Sequence, residues 1–250
     1  MNGTPQHRLA KPDSSISDFV YCFSSIRDLS EMSEGVIIPN GKIDLSFYKT
    51  SDGQFYISLL GLETKAKIAP KLNISVFFSI NFNPLAVEYI LGQPVADILD
   101  SGKIMPDGFW DFHIDDLNDF DAFCEKATGK IQSLMCKKTD ERKRRLFDII
   151  FKTYGEISIK ELSDKIGWKA RQINQYFNLQ FGISLKAYCS ILRFQASLSH
   201  IKEGKLFPQL NYYDQSHFIK EIKKLSGASP KELFKNENRR FLQFLVKDME

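Results

Sequence analysis

Two short stretches in the second half of this 250-residue chain hold the side chains whose types and spacing could do chemistry. Lys169, Arg171, Gln172, Asn174 and Gln175 follow Gly167 within eight residues, and Gln215, Ser216, His217 and Lys220 follow Asp214. Such residues suit the edges of base pairs and the phosphates beside them. Arg can fork onto a guanine, Asn and Gln can bridge an adenine edge, Lys meets phosphate, and a helix fits the major groove. The plainer alternative for both stretches is the solvated face of an ordinary helical hairpin. His217 suits a phosphate or groove contact, and equally a packed helix position.

The elements that must position these residues are legible from caps and stripes. Ser158 can cap a helix, with Glu161 three residues on completing a capping box. Ile159, Leu162 and Ile166 form an apolar stripe, Gly167 breaks it, and Ile173 and Phe177 begin another. That pattern predicts two short helices joined by a tight turn. Further on, Asp214 or Ser216 can cap a helix whose Phe218, Ile222 and Leu225 share one face. Gly227 is placed to end it in a left-handed cap, and Pro230 to start the next helix. Gly182-Ile-Ser-Leu-Lys and Gly227-Ala-Ser-Pro-Lys repeat one pattern 45 residues apart, each just after a polar helix. Between them runs an amphipathic helix with Tyr188, Leu192 and Ala196 at four-residue spacing, and Arg193 within it. Two such modules on one linker helix could meet successive major grooves, about 34 Å apart.

Charge agrees with that placement. Residues 1–135 hold 11 Lys+Arg against 18 Asp+Glu, a net of −7, while residues 136–250 hold 23 against 13, a net of +10. The basic half should be drawn to polyanions, unless its basic faces are merely solvated. No apolar run approaches the roughly 20 residues that span a bilayer, so no membrane partner is expected. The start of the chain carries no apolar signal core, so a cytoplasmic location is the default expectation. Cys22, Cys124, Cys136 and Cys189 stand far apart and read as free thiols rather than a disulfide or zinc framework. His7, His113, His200 and His217 are dispersed, and there is no phosphate-cradling glycine loop or Gly-x-Ser-x-Gly elbow. An enzyme, a metal site and a cofactor are therefore not expected. Asp107, Asp111, Asp115 and Asp116 near Trp110 and His113 form either a solvated loop and helix cap or a cation site.

The first half is patterned as strands. Phe19–Phe23, Val36–Ile38, Ile43–Tyr48 and Phe55–Leu59 have strand length, and Val76, Phe78, Ile80 and Phe82 alternate strictly. The predicted fold class is α+β in two domains: a β-rich, barrel- or sandwich-like N-terminal domain with short helices, and an all-α C-terminal domain with a double helix-turn-helix. The domains are predicted at 15–135 and 139–236, with a tail over 237–250, a frayed arm over 1–15, and a boundary in the charged run Lys137–Arg145. Short helices are expected at Leu85–Leu91 and after Pro94, with one or two over Ile114–Met135. The paired Phe77 and Phe78 are core residues or a ligand pocket.

Arg171-Gln-Ile-x-Gln-x-Phe177, Gly182-Ile-Ser, Arg193-Phe-Gln-Ala196, Tyr212-Tyr-Asp-Gln-Ser-His-Phe218 and Gly227-x-Ser-Pro230 together resemble the DNA-binding domain of AraC/XylS-type bacterial transcriptional regulators. The resemblance covers about residues 140–235 and implies a transcription factor whose partner is double-stranded DNA. RNA polymerase, a second copy of the chain, and a small-molecule effector at the N-terminal domain are further implied partners. Val36–Leu45, Phe77–Pro84 and Leu91–Pro94 are similar to a β-rich domain that accompanies one subset of these regulators. Three departures stand out: Lys169-Ala170 replaces the usual capping Ser, Asn211 replaces a turn Gly, and the second module's supporting helix is missing. Only Gly204–Leu210, with Pro208 inside, is available for that helix. The linker helix and the tail Arg239–Leu245 are therefore expected to hold the second module. Residues 159–177 are then expected to do most of the base reading, and 214–225 mainly to grip backbone. The alternative function is a small-ligand-binding β-barrel or barrel enzyme whose helical half mediates protein interaction.

Overall fold

Extended backbone over residues 43–50 and 74–82 sends successive side chains to opposite faces of a sheet, and the computed structural model builds the first half on those two strands. It describes residues 6–27, 35–69, 73–136 and 138–235. The strands are β1 (Gln6–Ala10), β2 (Val20–Arg27), β3 (Gly35–Ile37), β4 (Ile43–Thr50), β5 (Phe55–Leu60), β6 (Lys67–Ala69), β7 (Ile74–Phe82) and β8 (Gly102–Ile104). Six of them form one antiparallel sheet in the order β1-β2-β7-β4-β5-β8, and β3 pairs β6 in a separate ribbon.

The fold is α+β, and the sheet is open rather than a closed barrel. Its edges are β1 and β8. Closure is unnecessary because helix α2 (Phe120–Leu134) covers one face instead of further strands. Phe47 and Phe78 on that face meet Phe123 edge-on at 5.1 and 5.2 Å, and Phe47 meets Phe112 at 4.7 Å. Asp119 caps α2 by accepting from Asp121 and Ala122 N–H groups. The expected frayed arm is corrected in part: residues 6–10 form β1, laddered to β2, and Arg8 reaches Asp121 at 2.8 Å while its guanidinium lies over Phe120. Backbone pairing along an edge needs no apolar side chains, which is why the polar sequence concealed a strand. The short helical pieces appear as α1 (Leu85–Tyr89) and 3-10 turns at Ala96–Ile98 and Ile114–Leu117.

The described residues from 138 to 235 hold six helices: α3 (Glu141–Lys152), α4 (Ile159–Ile166), α5 (Ala170–Phe181), α6 (Leu185–Lys202), α7 (Gln215–Ser226) and α8 (Pro230–Lys235). Buried apolar side chains run without a break from the sheet into these helices. The join is specific. Tyr188 on α6 donates its hydroxyl to the Gly41 carbonyl at 3.0 Å, and Gln195 donates to the Pro39 carbonyl. Val95 N–H donates to the Gln180 carbonyl at 2.8 Å, and Lys143 holds Glu88 at 2.6 Å. No helix among the described residues is long and apolar enough to cross a membrane.

Candidate nucleic-acid interface

The first module forms because each of its helices has one apolar stripe and defined ends. Ser158 accepts the Glu161 N–H at 3.1 Å to start α4, and Gly167 ends it at φ 71°, a left-handed angle that suits residues without a Cβ. Ser163 donates its hydroxyl to the Trp168 carbonyl across the turn. Lys169 offers no capping acceptor, so α5 starts differently: Gln172 Oε1 accepts the Lys169 N–H at 3.0 Å. Leu162 and Ile166 from α4, with Ile173, Phe177 and Phe181 from α5, are all buried. Phe147 of α3 and Tyr188 of α6 meet Phe177 at 5.8 and 5.4 Å, so aromatic packing fixes the angle of α5 from both sides.

Packing that stripe inward leaves the predicted residues outward. Lys169, Arg171, Gln172 and Gln175 are exposed, and Asn174 is half-buried, its amide turned back to the Ala170 carbonyl at 3.2 Å. Gln172 and Asn174 thus already serve their own helix, which leaves Lys169, Arg171 and Gln175 the freest to meet a partner.

In the second module Asp214 caps α7 by accepting the His217 N–H at 2.7 Å, and Gly227 ends it at φ 73°. Phe218, Ile222 and Leu225 are buried, while Gln215, Ser216, His217 and Lys220 are exposed. His217 Nδ1 accepts from the Tyr213 N–H at 3.4 Å, a long bond that leaves its ring at the surface. No helix lies between Lys202 and Gln215. Arg193 of α6 supports the segment before α7 in its place. The Arg193 guanidinium donates to the carbonyls of Asn211 (3.3 Å) and Gly155 (3.4 Å) and lies 5.6 Å over the Tyr212 ring. Tyr212 in turn shares a 3.0 Å hydroxyl bond with Ser197 and packs edge-on against Phe218 at 5.1 Å. Asn211 does not take a left-handed angle; its N–H donates to Glu156 instead. The expected hold by Arg239–Leu245 lies outside the described residues.

Ion pairing distinguishes the outward cations of the two modules from four cations in and beside α3. In and beside α3, Arg142, Lys143, Arg144 and Lys152 each sit within 3 Å of a carboxylate. Lys169, Arg171, Lys220, Lys223 and Lys224 are all exposed, and none has a carboxylate partner among the described residues. Arg142, Lys143 and Arg144 are thus engaged within the molecule, while the cations on α7 and at the start of α5 remain available to something outside it. Elsewhere, Asp116 accepts the His113 N–H at 2.7 Å and binds Lys126 at 2.8 Å, the cap alternative for the acidic cluster. Among the described residues no three His, Cys, Asp or Glu side chains group as metal ligands do.

Sequence reasoning singles out the outward residues but not the supports. Arg193 is visible only as part of a motif, and Glu156 and Ser197 carry no signal, because their roles depend on chain segments 15 to 55 residues away.

No protein-family model matches the chain, and no curated protein matches it. Among solved structures it is similar to ToxT from Vibrio cholerae, with 12% identity over 93% of this chain and 98% of that one and a TM-score of 0.45. A ToxT structure from Vibrio cholerae O395 is 12% identical over 92% and 97% of the two chains, at a TM-score of 0.41. ToxT bound to (E)-4-(8-methylnaphthalen-1-yl)but-3-enoic acid is 12% identical over 93% and 99%, at 0.43.

Proposed function

We propose that this chain is a sequence-specific, DNA-binding transcriptional regulator of the AraC type, with α5 and α7 meeting major grooves of double-stranded DNA. The observation that carries the proposal is the pair of capped helices whose exposed cations lack carboxylate partners among the described residues, both mounted on α6. At 1.5 Å per residue that 18-residue helix spans about 27 Å, a fit to modules that face neighbouring grooves. Residues 139–236 are the DNA-binding part of this proposal, and residues 15–135 its sensory or dimerisation part. Lys169, Arg171, Gln172, Asn174 and Gln175 contact bases or flanking phosphates from the first module. Gln215, Ser216, His217 and Lys220 do so from the second. RNA polymerase and a second copy of the chain are the further partners such a regulator would meet.

The test is selection of genomic fragments by the purified full chain, followed by titration of the enriched duplex. Affinity should fall steeply with salt as phosphate contacts are lost. Arg171→Ala should weaken the selected site by about 1–3 kcal/mol and relax preference at one position. Equal weakening on random duplex makes Arg171 a phosphate contact. Failure to enrich any fragment at low salt sinks the proposal.

A further inference from the structure

The sheet face turned away from α2 is polar, yet much of it is covered. Four serines cross it in one row, Ser24, Ser79, Ser46 and Ser58, contributed by β2, β7, β4 and β5 and all buried. Ser24 and Ser79 share a 2.6 Å hydroxyl bond, Asn81 donates to Ser79 at 2.8 Å, and Ser58 donates to the Tyr48 hydroxyl at 3.3 Å. Ser46, only 1% exposed, has no partner for its hydroxyl. Two residues earlier on the same strand and face, Asp44 has an enclosed Oδ1 that is likewise unpartnered. Glu63, three residues beyond the Leu60 that pairs with Asp44, has an enclosed and unpartnered Oε2.

Leaving an enclosed polar group unbonded is costly, the more so if it is charged. Three such acceptors in one neighbourhood, two of them carboxylate oxygens, call for hydrogen-bond donors and positive charge. Asn40 hydrogen-bonds the Asp44 carboxyl, and Lys42 and Lys67 lie near enough to favour the two carboxylates, yet neither lysine bonds these three oxygens. Lys42 Nζ is engaged by Asn83 at 2.8 Å and lies over the Tyr21 and Phe151 rings. Lys67 Nζ is engaged by Glu63 Oε1 at 3.2 Å and by the Asp100 carbonyl. The electrostatics agree, since burial first and the charge of Glu63 second push the Asp44 carboxyl up to about 7. An alkylammonium has three donors and no acceptor. Beyond the serines, Tyr48 stacks between Tyr56 at 5.5 Å and Phe77 at 6.4 Å, an aromatic row suited to an organic body.

We propose that Asp44, Ser46 and Glu63 form a binding site for a small organic cation, a primary ammonium compound whose body lies along the serine and aromatic rows. The segments beside this site touch the helical half: Pro39 and Gly41 accept from α6, and Ala66 lies 3.8 Å from where a Cβ on Gly227 would stand. That an occupied site alters the grip of α5 and α7 on DNA rests on the function proposed above; the ammonium site itself does not.

The experiment is calorimetric titration and thermal unfolding of the full chain with n-hexylammonium chloride, with hexanol, sodium hexanoate and magnesium chloride in parallel. Saturable one-to-one binding of hexylammonium and a raised melting temperature are expected, with neither effect from the other three. Ser46→Ala and Asp44→Asn should each weaken binding about tenfold, the equivalent of about 1.4 kcal/mol, and Glu63→Gln should do the same. Ser46→Ala and Asp44→Asn decide the matter should Glu63→Gln fail to fold. The proposal is overturned by no hexylammonium binding, by equal binding of hexanol or hexanoate, by magnesium binding in its place, or by binding that Ser46→Ala leaves unchanged. DNA binding measured on the same samples separates the two proposals. Intact DNA binding without ammonium binding removes only this one, and the reverse removes only the regulator.

Discussion

Asp44 shows how much one buried carboxyl can decide. Its pKa stands at about 7 instead of 3.8, so the folded chain holds this proton more tightly than the unfolded chain does. Ionisation of Asp44 therefore weakens the fold above pH 7, and that penalty vanishes as pH falls from 7 towards 4. Lys42 works in the opposite sense. Burial lowers its pKa from 10.5 to about 8, so its penalty is present below pH 8 and fades as pH rises through 8 towards 10.5. Asp44→Asn isolates the first effect. It should stabilise the protein by on the order of 2 kcal/mol at pH 8.5, with the gain gone by pH 4. Thermal unfolding of both proteins across that range checks it, and a gain that persisted at pH 4 would have another origin. Nothing in the local sequence marks Asp44, since Ile43-Asp44-Leu45-Ser46-Phe47 reads as a strand with one wet face. The outward residues of α5 and α7 are legible because side-chain type and cap spacing are local properties.

At the scale of elements, α7 is held by a side chain where a helix would be expected. Arg193 and Tyr212 tie the segment before α7 to α6, and Glu156 binds it from the α3–α4 turn. Tyr212→Phe removes the bond to Ser197 and should cost about 1 kcal/mol, with amide exchange accelerated in α7 but not in α5. Uniform acceleration in both helices would contradict this local role. The α3–α4 turn is equally constrained. Gly155 has φ 72°, and a Cβ there would come within 2.6 Å of the Cys189 carbonyl oxygen. Gly155→Ala should destabilise by roughly 3 kcal/mol, from the left-handed angle and the clash together, measurable by denaturant unfolding. The missing helix also bears on the division of labour. With its frame built from few bonds, α7 should contribute more to affinity than to sequence choice. Gln215→Ala should then shift base preference less than Arg171→Ala does in fragment selection, and the reverse ranking refutes that division.

For the molecule as a whole, the acidic and basic halves differ in composition but share one connected core. Tyr188 is the hinge of that arrangement, packed on Phe177 of α5 and bonded to Gly41 of the sheet half. Heating should unfold the two halves together, so that far-ultraviolet and near-ultraviolet circular dichroism give one midpoint. Tyr188→Phe should lower that midpoint without splitting the transition. Separate midpoints for the sheet and helical signals in the unmodified chain would show the halves to be energetically independent. The same junction is the physical route by which a small cation at Asp44 and Ser46 could bias the helices, because Pro39–Lys42 leads directly into β4.

The sequence by itself determined β2, β3, β4, β5 and β7, the capped helices, the repeated module and the outward polar residues. Each depends on a period, a cap or a glycine within a few positions, and local sterics and hydrogen bonding act over that range. Tertiary structure alone decided the rest: β1 in place of a frayed arm, an open sheet under α2, and Arg193 in place of a helix. It also covered the serine row, enclosing Asp44, Ser46 and Glu63. These outcomes depend on which distant surfaces meet, and the burial of a polar face is set by what lands on it rather than by the residues it contains.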